Sequence, residues 1–274
     1  MHVSLHHSRI AELFRSRSGT LLVACTVAGD PDYATSVRII REMEATGADC
    51  IELVMPFSDP VADGPVMQEA VSRALDAGMN TDRFFSLIRE IREGSKIPLV
   101  ILTYANILIQ RGIESFYRDA ANAGVDGVAI ADVPLEESVR FLAAARDAGI
   151  EPVLFVSQTT SKDRLEKILS GAGGFIYLVA AMGVTGIRNG ISQETLICLQ
   201  EIKERTALPV VPGFGISRPE HIHTYGNSGA DGVIVGSALA KMISENVKLG
   251  QDPAPAVGEL VRELKSGCVI QKII

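Results

Sequence analysis

Two carboxylic acids joined by a stiff loop carry the chemistry that this sequence can offer. Glu52 sits inside an apolar run, Cys50, Ile51, Leu53, Val54 and Met55, that reads as a buried strand. A lone carboxylate there is costly unless it has a partner or a task. The run stops at Pro56, and residues 57–65 hold Pro60, Pro65, Gly64, Asp59 and Asp63. That composition predicts a stiff, exposed loop offering Asp63 back toward the strand end. One buried acid and one loop acid form a general acid/base pattern, and the apolar setting of Glu52 predicts a proton affinity raised toward neutrality. Plainer readings stand beside these. Glu52 could be a structural acid bonded to neighbouring backbone, and Asp63 could only stabilise its turn, the default also for Asp59 and Asp132.

A second constellation lies late in the chain. The run V-P-G-F-G-I-S (211–217) follows one apolar strand and V-G-S-A (235–238) follows the next. Small residues at such places let backbone N–H groups and a helix N-terminus approach a phosphate, so Gly215, Gly236 and Ser237 are candidate phosphate-holding positions. Between residues 183 and 190, G-V-T-G-I-R-N-G reads as a glycine-hinged lid carrying Thr185 and Gly186 inward, with a passive surface loop as the alternative. A closed lid could bring Thr185 to Asp63. No lysine falls at the C-terminal end of a strand, so a Schiff-base aldolase lacks its amine. The histidines show no zinc-ligand set, so no metal site is expected. Acid/base chemistry on a small phosphate ester remains.

The elements that position these residues follow a repeat. G-A-D-C-I-E-L (47–53), G-V-D-G-V-A-I (124–130) and G-A-D-G-V-I-V (229–235), with a looser copy G-A-G-G-F-I-Y-L-V (171–179), each close a helix with glycine and open a strand. Alternating with them are strands entered through Pro98, Pro152 and Pro209. The pattern predicts strands at 20–27, 50–55, 98–103, 127–131, 152–156, 175–179, 209–212 and 232–235. Helices are predicted near 33–45, 81–93, 112–123, 136–148, 162–170, 193–205, 219–227 and 257–265. Eight units without a switch point argue for a single (β/α)8 barrel spanning 1–274, with an amphipathic N-terminal helix within 1–18 plugging one end. Chemistry in such barrels sits at the C-terminal strand ends. Alternation then points Cys50, Glu52 and Val54 inward, and places Phe175, Tyr177 and Val179 on one face of strand six.

Composition is consistent with this reading. The chain has 274 residues, 47% hydrophobic and 22% charged, with a net charge of -7 and no basic cluster. Nucleic acid is not an expected partner, and any anion site must be built locally. The four cysteines lack C-x-x-C spacing and read as reduced thiols of a cytoplasmic protein. No apolar run approaches a membrane span of roughly 18 residues, and the first residues show no apolar signal core.

At residue level the chain resembles the tryptophan synthase alpha subunit family. The likeness runs through A-G-D-P (28–31), I-E-L-V-M-P-F-S-D-P-V-A-D-G-P (51–65), Y-A-N (104–106), A-D-V-P-L-E-E (131–137), G-V-T-G, G-F-G-I-S and G-S-A. It implies a TIM barrel that splits indole-3-glycerol phosphate into indole and glyceraldehyde 3-phosphate without a cofactor of its own. Carried over, Glu52 is the acid/base at indole C3 and the glycerol hydroxyl, and Asp63 meets the indole N–H. Tyr177 and Leu102 line the pocket, while Gly186, Gly215, Gly236 and Ser237 hold phosphate. The family also implies a PLP-dependent beta subunit in an α2β2 tetramer, with Pro56, Asp59, Asn106 and Pro134 as candidate contacts. Two departures stand out: Ala181 and Met182 replace a frequent Arg-Ser before G-V-T-G, and Cys25 replaces a common aromatic. The alternatives are a non-catalytic or weakly catalytic activating subunit and another phosphate-binding barrel isomerase.

Overall fold

The computed structural model describes residues 8–179 and 191–268. Eight parallel strands close on themselves in sequence order. They are β1 (Leu21–Val27), β2 (Cys50–Val54), β3 (Leu99–Thr103), β4 (Gly127–Ile130), β5 (Glu151–Ser157), β6 (Ile176–Val179), β7 (Val210–Gly213) and β8 (Gly232–Val235). The closing pair puts Leu21 opposite Gly232 and Ala24 opposite Val235. Strands and predicted segments agree to within a residue or two, because fully apolar runs bounded by Gly-Asp or Pro have few other places to lie in a parallel sheet covered on both faces.

The helices, numbered in chain order, begin with α1 (Arg9–Ser16), α2 (Tyr33–Ala45), α3 (Pro65–Asp76) and α4 (Thr81–Arg92). There follow α5 (Ala105–Arg111), α6 (Ile113–Ala123), α7 (Val139–Asp147) and α8 (Lys162–Gly171). The last four are α9 (Gln193–Lys203), α10 (Pro219–Asn227), α11 (Ser237–Lys248) and α12 (Pro253–Lys265). Three of these were not expected from the sequence: α3, α5 and α11. In each case the start is concealed. Pro65 occupies the first turn of α3, where its missing N–H costs nothing, yet in the sequence it reads as loop. Residue Ala105 opens α5 directly after β3, and its N–H is capped from another loop by Asp132 at 2.7 Å. Glycine is the N-cap of α11, with no side-chain hydrogen bond to announce it.

The N-terminal helix closes the end of the barrel opposite the predicted chemistry. Ile10 and Phe14 are buried, Ile10 lies against Gly127 and Gly174, and the Phe14 ring sits 5.9 Å from that of Phe175. The Gly-Asp repeat has a physical reason beyond strand entry. Asp49, Asp126 and Asp231 each accept a backbone N–H from the preceding strand region, from Leu22, Leu99 and Val210, at 2.7–2.8 Å. Each also meets cations: Lys265 for Asp49, Arg9 and Arg92 for Asp126, and Arg17 and Lys203 for Asp231. Thus α1 is tied through Arg9 and Arg17 to two of the three aspartates. Removing the Asp126 carboxylate would leave the largely buried Arg92 guanidinium and the buried Leu99 N–H without this partner. Asp126→Ala is therefore expected to destabilise the barrel by about 3 kcal/mol in chemical denaturation.

Candidate active site

A cavity of about 230 Å³ opens at the C-terminal end of the barrel. Its wall is built from several strand ends: Cys25 of β1, Glu52 of β2, Leu102 of β3, Tyr177 of β6 and Ile234 of β8. Asp63 and residues 64–67 close one side, and Phe214, Gly215, Ile216, Gly236 and Ser237 close the other. The alternation read from sequence thus brings Glu52 and Tyr177 together with Asp63, Leu102, Gly215, Gly236 and Ser237. Thr185 and Gly186 lie outside the described residues, as do Ala181 and Met182.

Glu52 is completely buried, and among the described residues neither of its carboxylate oxygens has a hydrogen-bond partner. Burial pushes its carboxyl up from 4.5 to about 7. The Cys25 thiol, opposite Glu52 in the β1–β2 register, pulls it back, while the charge of Asp63 adds to the rise. A carboxyl in this state can both give and take a proton near neutral pH.

Asp63 differs from its sequence reading in one respect: it is half-buried rather than exposed. Burial raises its carboxyl, and a hydrogen bond from Tyr104 opposes the rise. The Tyr104 hydroxyl donates to Asp63 Oδ2 at 2.9 Å and accepts the Ala62 N–H at 3.2 Å. Its ring is buried and stacks on Phe57 at 5.3 Å, so one side chain ties the loop tip to the loop base. The partner was missed because it lies 41 residues from Asp63, with nothing local to mark it. Only its position directly after β3 gave a usable signal.

On the opposite side, Phe214 and Gly215 both take positive φ, 76° and 71°. For phenylalanine this backbone region is uncommon, and it holds the ring at the cavity rim, 6.1 Å from that of Tyr177. The first turn of α11 begins at Ser237 with neither a side-chain cap nor an acidic residue. Its free N–H groups and the positive end of its dipole face the cavity, an arrangement suited to an anion. Gly213 at the end of β7 is needed for a different reason. A Cβ there would stand 2.6 Å from Tyr177 Cε1 and 2.7 Å from its hydroxyl. With Tyr177 buried, Gly213→Ala is expected to displace the ring into the cavity. Steady-state kinetics should then show kcat/KM down by about 10- to 100-fold.

The four candidate contact residues divide. Asp59, Asn106 and Pro134 are exposed around this mouth, whereas Pro56 is buried and offers no surface of its own. Among the described residues, no group of three or more His, Cys, Asp or Glu side chains is placed to hold a metal ion.

Comparison with known proteins converges on one family. Residues 12–269 match the family model described as tryptophan synthase alpha chain. The alpha chain of Methanoregula boonei is 46% identical over 239 residues, covering 87% of this chain and 90% of that protein. Among solved structures, the alpha subunit of Legionella pneumophila superposes with a TM-score of 0.87 at 30% identity, covering 95% of this chain and 98% of the other. A structure of the Pyrococcus furiosus a2b2 complex, described in terms of mutual activation, gives 0.85 at 35% identity, covering 90% and 98%. Matched over nearly its whole length and sharing the closed barrel, the chain belongs to the tryptophan synthase alpha chain family.

Proposed function

We propose that Glu52 and Asp63 are the two acids that cleave indole-3-glycerol phosphate in this chain, Glu52 as proton donor and acceptor and Asp63 as electrostatic partner of the indole nitrogen. The reaction of the family is a retro-aldol cleavage giving indole and glyceraldehyde 3-phosphate. The observation that carries the assignment is a fully buried carboxyl without a hydrogen-bond partner among the described residues, at the floor of the cavity.

Bond by bond, a proton reaches indole C3 and the ring becomes a cation with its charge centred on nitrogen. Loss of the proton from the adjacent glycerol hydroxyl then forms the aldehyde, breaks the carbon–carbon bond and returns the electron pair to the ring. One proton is given and one recovered, so a single group near pH 7 suffices for both transfers. A half-buried carboxylate beside the ring N–H stabilises the cation where the cavity excludes water. Leu102 and Tyr177 supply apolar contact for the ring. The α11 N-terminus, with Gly215, Gly236 and Ser237, fits the phosphate, and Thr185 and Gly186 are proposed to complete that grip.

None of these steps calls on a cofactor. PLP belongs to the beta subunit, with which alpha chains assemble as α2β2. Asp59, Asn106 and Pro134 are the proposed contacts with it. We also propose that the chain acts as one domain in the cytoplasm; among the described residues no helix is long and apolar enough to cross a membrane. The experiment is indole release from indole-3-glycerol phosphate by the purified chain, alone and with a beta subunit. Release in either condition is the expected result, and absence in both would overturn the reading.

A further inference from the structure

We propose that Cys25 is a positioning residue for Glu52: its thiol is the donor that turns to the carboxylate each time Glu52 gives up its proton. The inference rests on the reading of Glu52 as the proton-transferring group. It goes further by naming what receives the resulting charge.

The geometry leaves few candidates. Cys25 and Glu52 are direct register partners on β1 and β2, and both side chains line the cavity. Both are buried, Cys25 at 4% exposure and Glu52 at 0%. Neither Glu52 oxygen has a hydrogen-bond partner among the described residues, a situation that a neutral acid tolerates far better than an anion. Once ionised it needs a donor.

Three groups face it from the surrounding elements. Asp63, from the loop after β2, is acidic and opposes the charge. Tyr177, from β6, carries a hydroxyl that sits over Gly213 of β7, where a Cβ would come within 2.7 Å of it. Cys25 carries an S–H that burial and the Glu52 charge keep protonated, since both raise its thiol well above 9.0. Cys50, on β2 itself, is likewise raised, with burial and then Asp126 ahead of Glu52 among the causes. On β3 the register partner of Glu52 is Val100, which has nothing to donate. A thiol is a weak donor, and a hydrogen bond from Cys25 is among the influences on the Glu52 carboxyl, opposing the rise that burial causes; such contacts tighten when charge develops. A weak donor also suits the task, because a strong one would hold Glu52 ionised and leave it without a proton to give.

The test is the titration of Glu52, followed by infrared or δ-carbon NMR, in the full chain and in Cys25→Ser and Cys25→Ala. Serine, a stronger donor of similar size, is expected to lower the midpoint by about one pH unit. Alanine, which donates nothing, is expected to raise it, and the pH profile of kcat/KM should move the same way in each. Movement of both variants in one direction, or of neither, would show that Cys25 only packs. Tyr177→Phe shifting the midpoint while the Cys25 variants do not would assign the donor to Tyr177 and overturn the proposal. Should Cys25→Ser fail to fold, the wild-type S–H stretching band, assigned by its loss in Cys25→Ala, decides the matter. A fall in frequency as Glu52 ionises supports the proposal, and a band unmoved across the titration overturns it. The infrared and NMR readouts do not depend on turnover, so they stand apart from the loss or retention of activity in Glu52→Gln that tests the catalytic reading.

Discussion

Glu52→Gln is expected to lower indole release from indole-3-glycerol phosphate by about 10²- to 10⁴-fold, the usual contribution of a general acid/base, while the barrel folds and the beta subunit still binds. The amide matches the carboxyl in shape but cannot pass a proton from C3 to the hydroxyl and back. Stability separates this effect from damage to the fold. The folded-state carboxyl titrates near 7, above the 4.5 of the unfolded chain. A group raised in this way contributes stability that is complete below about pH 4.5 and is lost as pH climbs through 7. That difference corresponds to about 3 kcal/mol at roughly 1.4 kcal/mol per pH unit. The glutamine variant has no such loss. Chemical denaturation should therefore find the variant gaining on the wild type between pH 5 and pH 8, even as its activity disappears. A variant that lost activity and stability together at pH 8 would point to a structural role for Glu52.

Asp63→Asn is expected to cost about 10²- to 10³-fold in kcat, in the range seen when one electrostatic stabiliser of a transition state is removed. The amide oxygen introduced by this substitution would still accept the Tyr104 hydrogen bond that now reaches Asp63 Oδ2 at 2.9 Å. Loop position should persist, and what is lost is the negative charge beside the ring nitrogen. The signature is a fall in kcat with little change in KM, because the charge on nitrogen is absent from the bound substrate and develops only as C3 is protonated. Tyr104→Phe provides the contrast. It keeps the charge but frees both Asp63 and the Ala62 N–H, so positioning suffers and KM should rise along with the fall in kcat.

How much of this was legible in the sequence depended on how local each signal was. Glu52 announced itself, because an acid inside an apolar strand violates the expected pattern and alternation fixes its direction. The eight strands were legible for a similar reason, through Gly-Asp and Pro entries that repeat at each quarter turn. The aspartates within that repeat were visible, yet their work was not. Asp126 meets Arg9 and Arg92 from distant parts of the chain, and no local pattern encodes such a meeting. The α3 helix was hidden because Pro65 ends a loop and starts a helix with one residue. Asp63 read as exposed because the ring that covers it comes from the end of β3.

A barrel with Glu52 and no functional demand on it would be better served by an apolar residue at that position. The cavity instead keeps a carboxyl among Cys25, Leu102, Tyr177 and Ile234, where its charge is opposed by burial. The same burial that costs stability above neutral pH gives the group a proton to deliver at neutral pH. The most direct measurement of this claim is the titration midpoint of Glu52 in the intact wild-type chain, read from its carboxyl infrared band or δ-carbon shift. A midpoint near 7 is the expected result. One near 4.5, the value of an ordinary glutamate, would leave a carboxylate with no proton to give at neutral pH and would contradict the assignment.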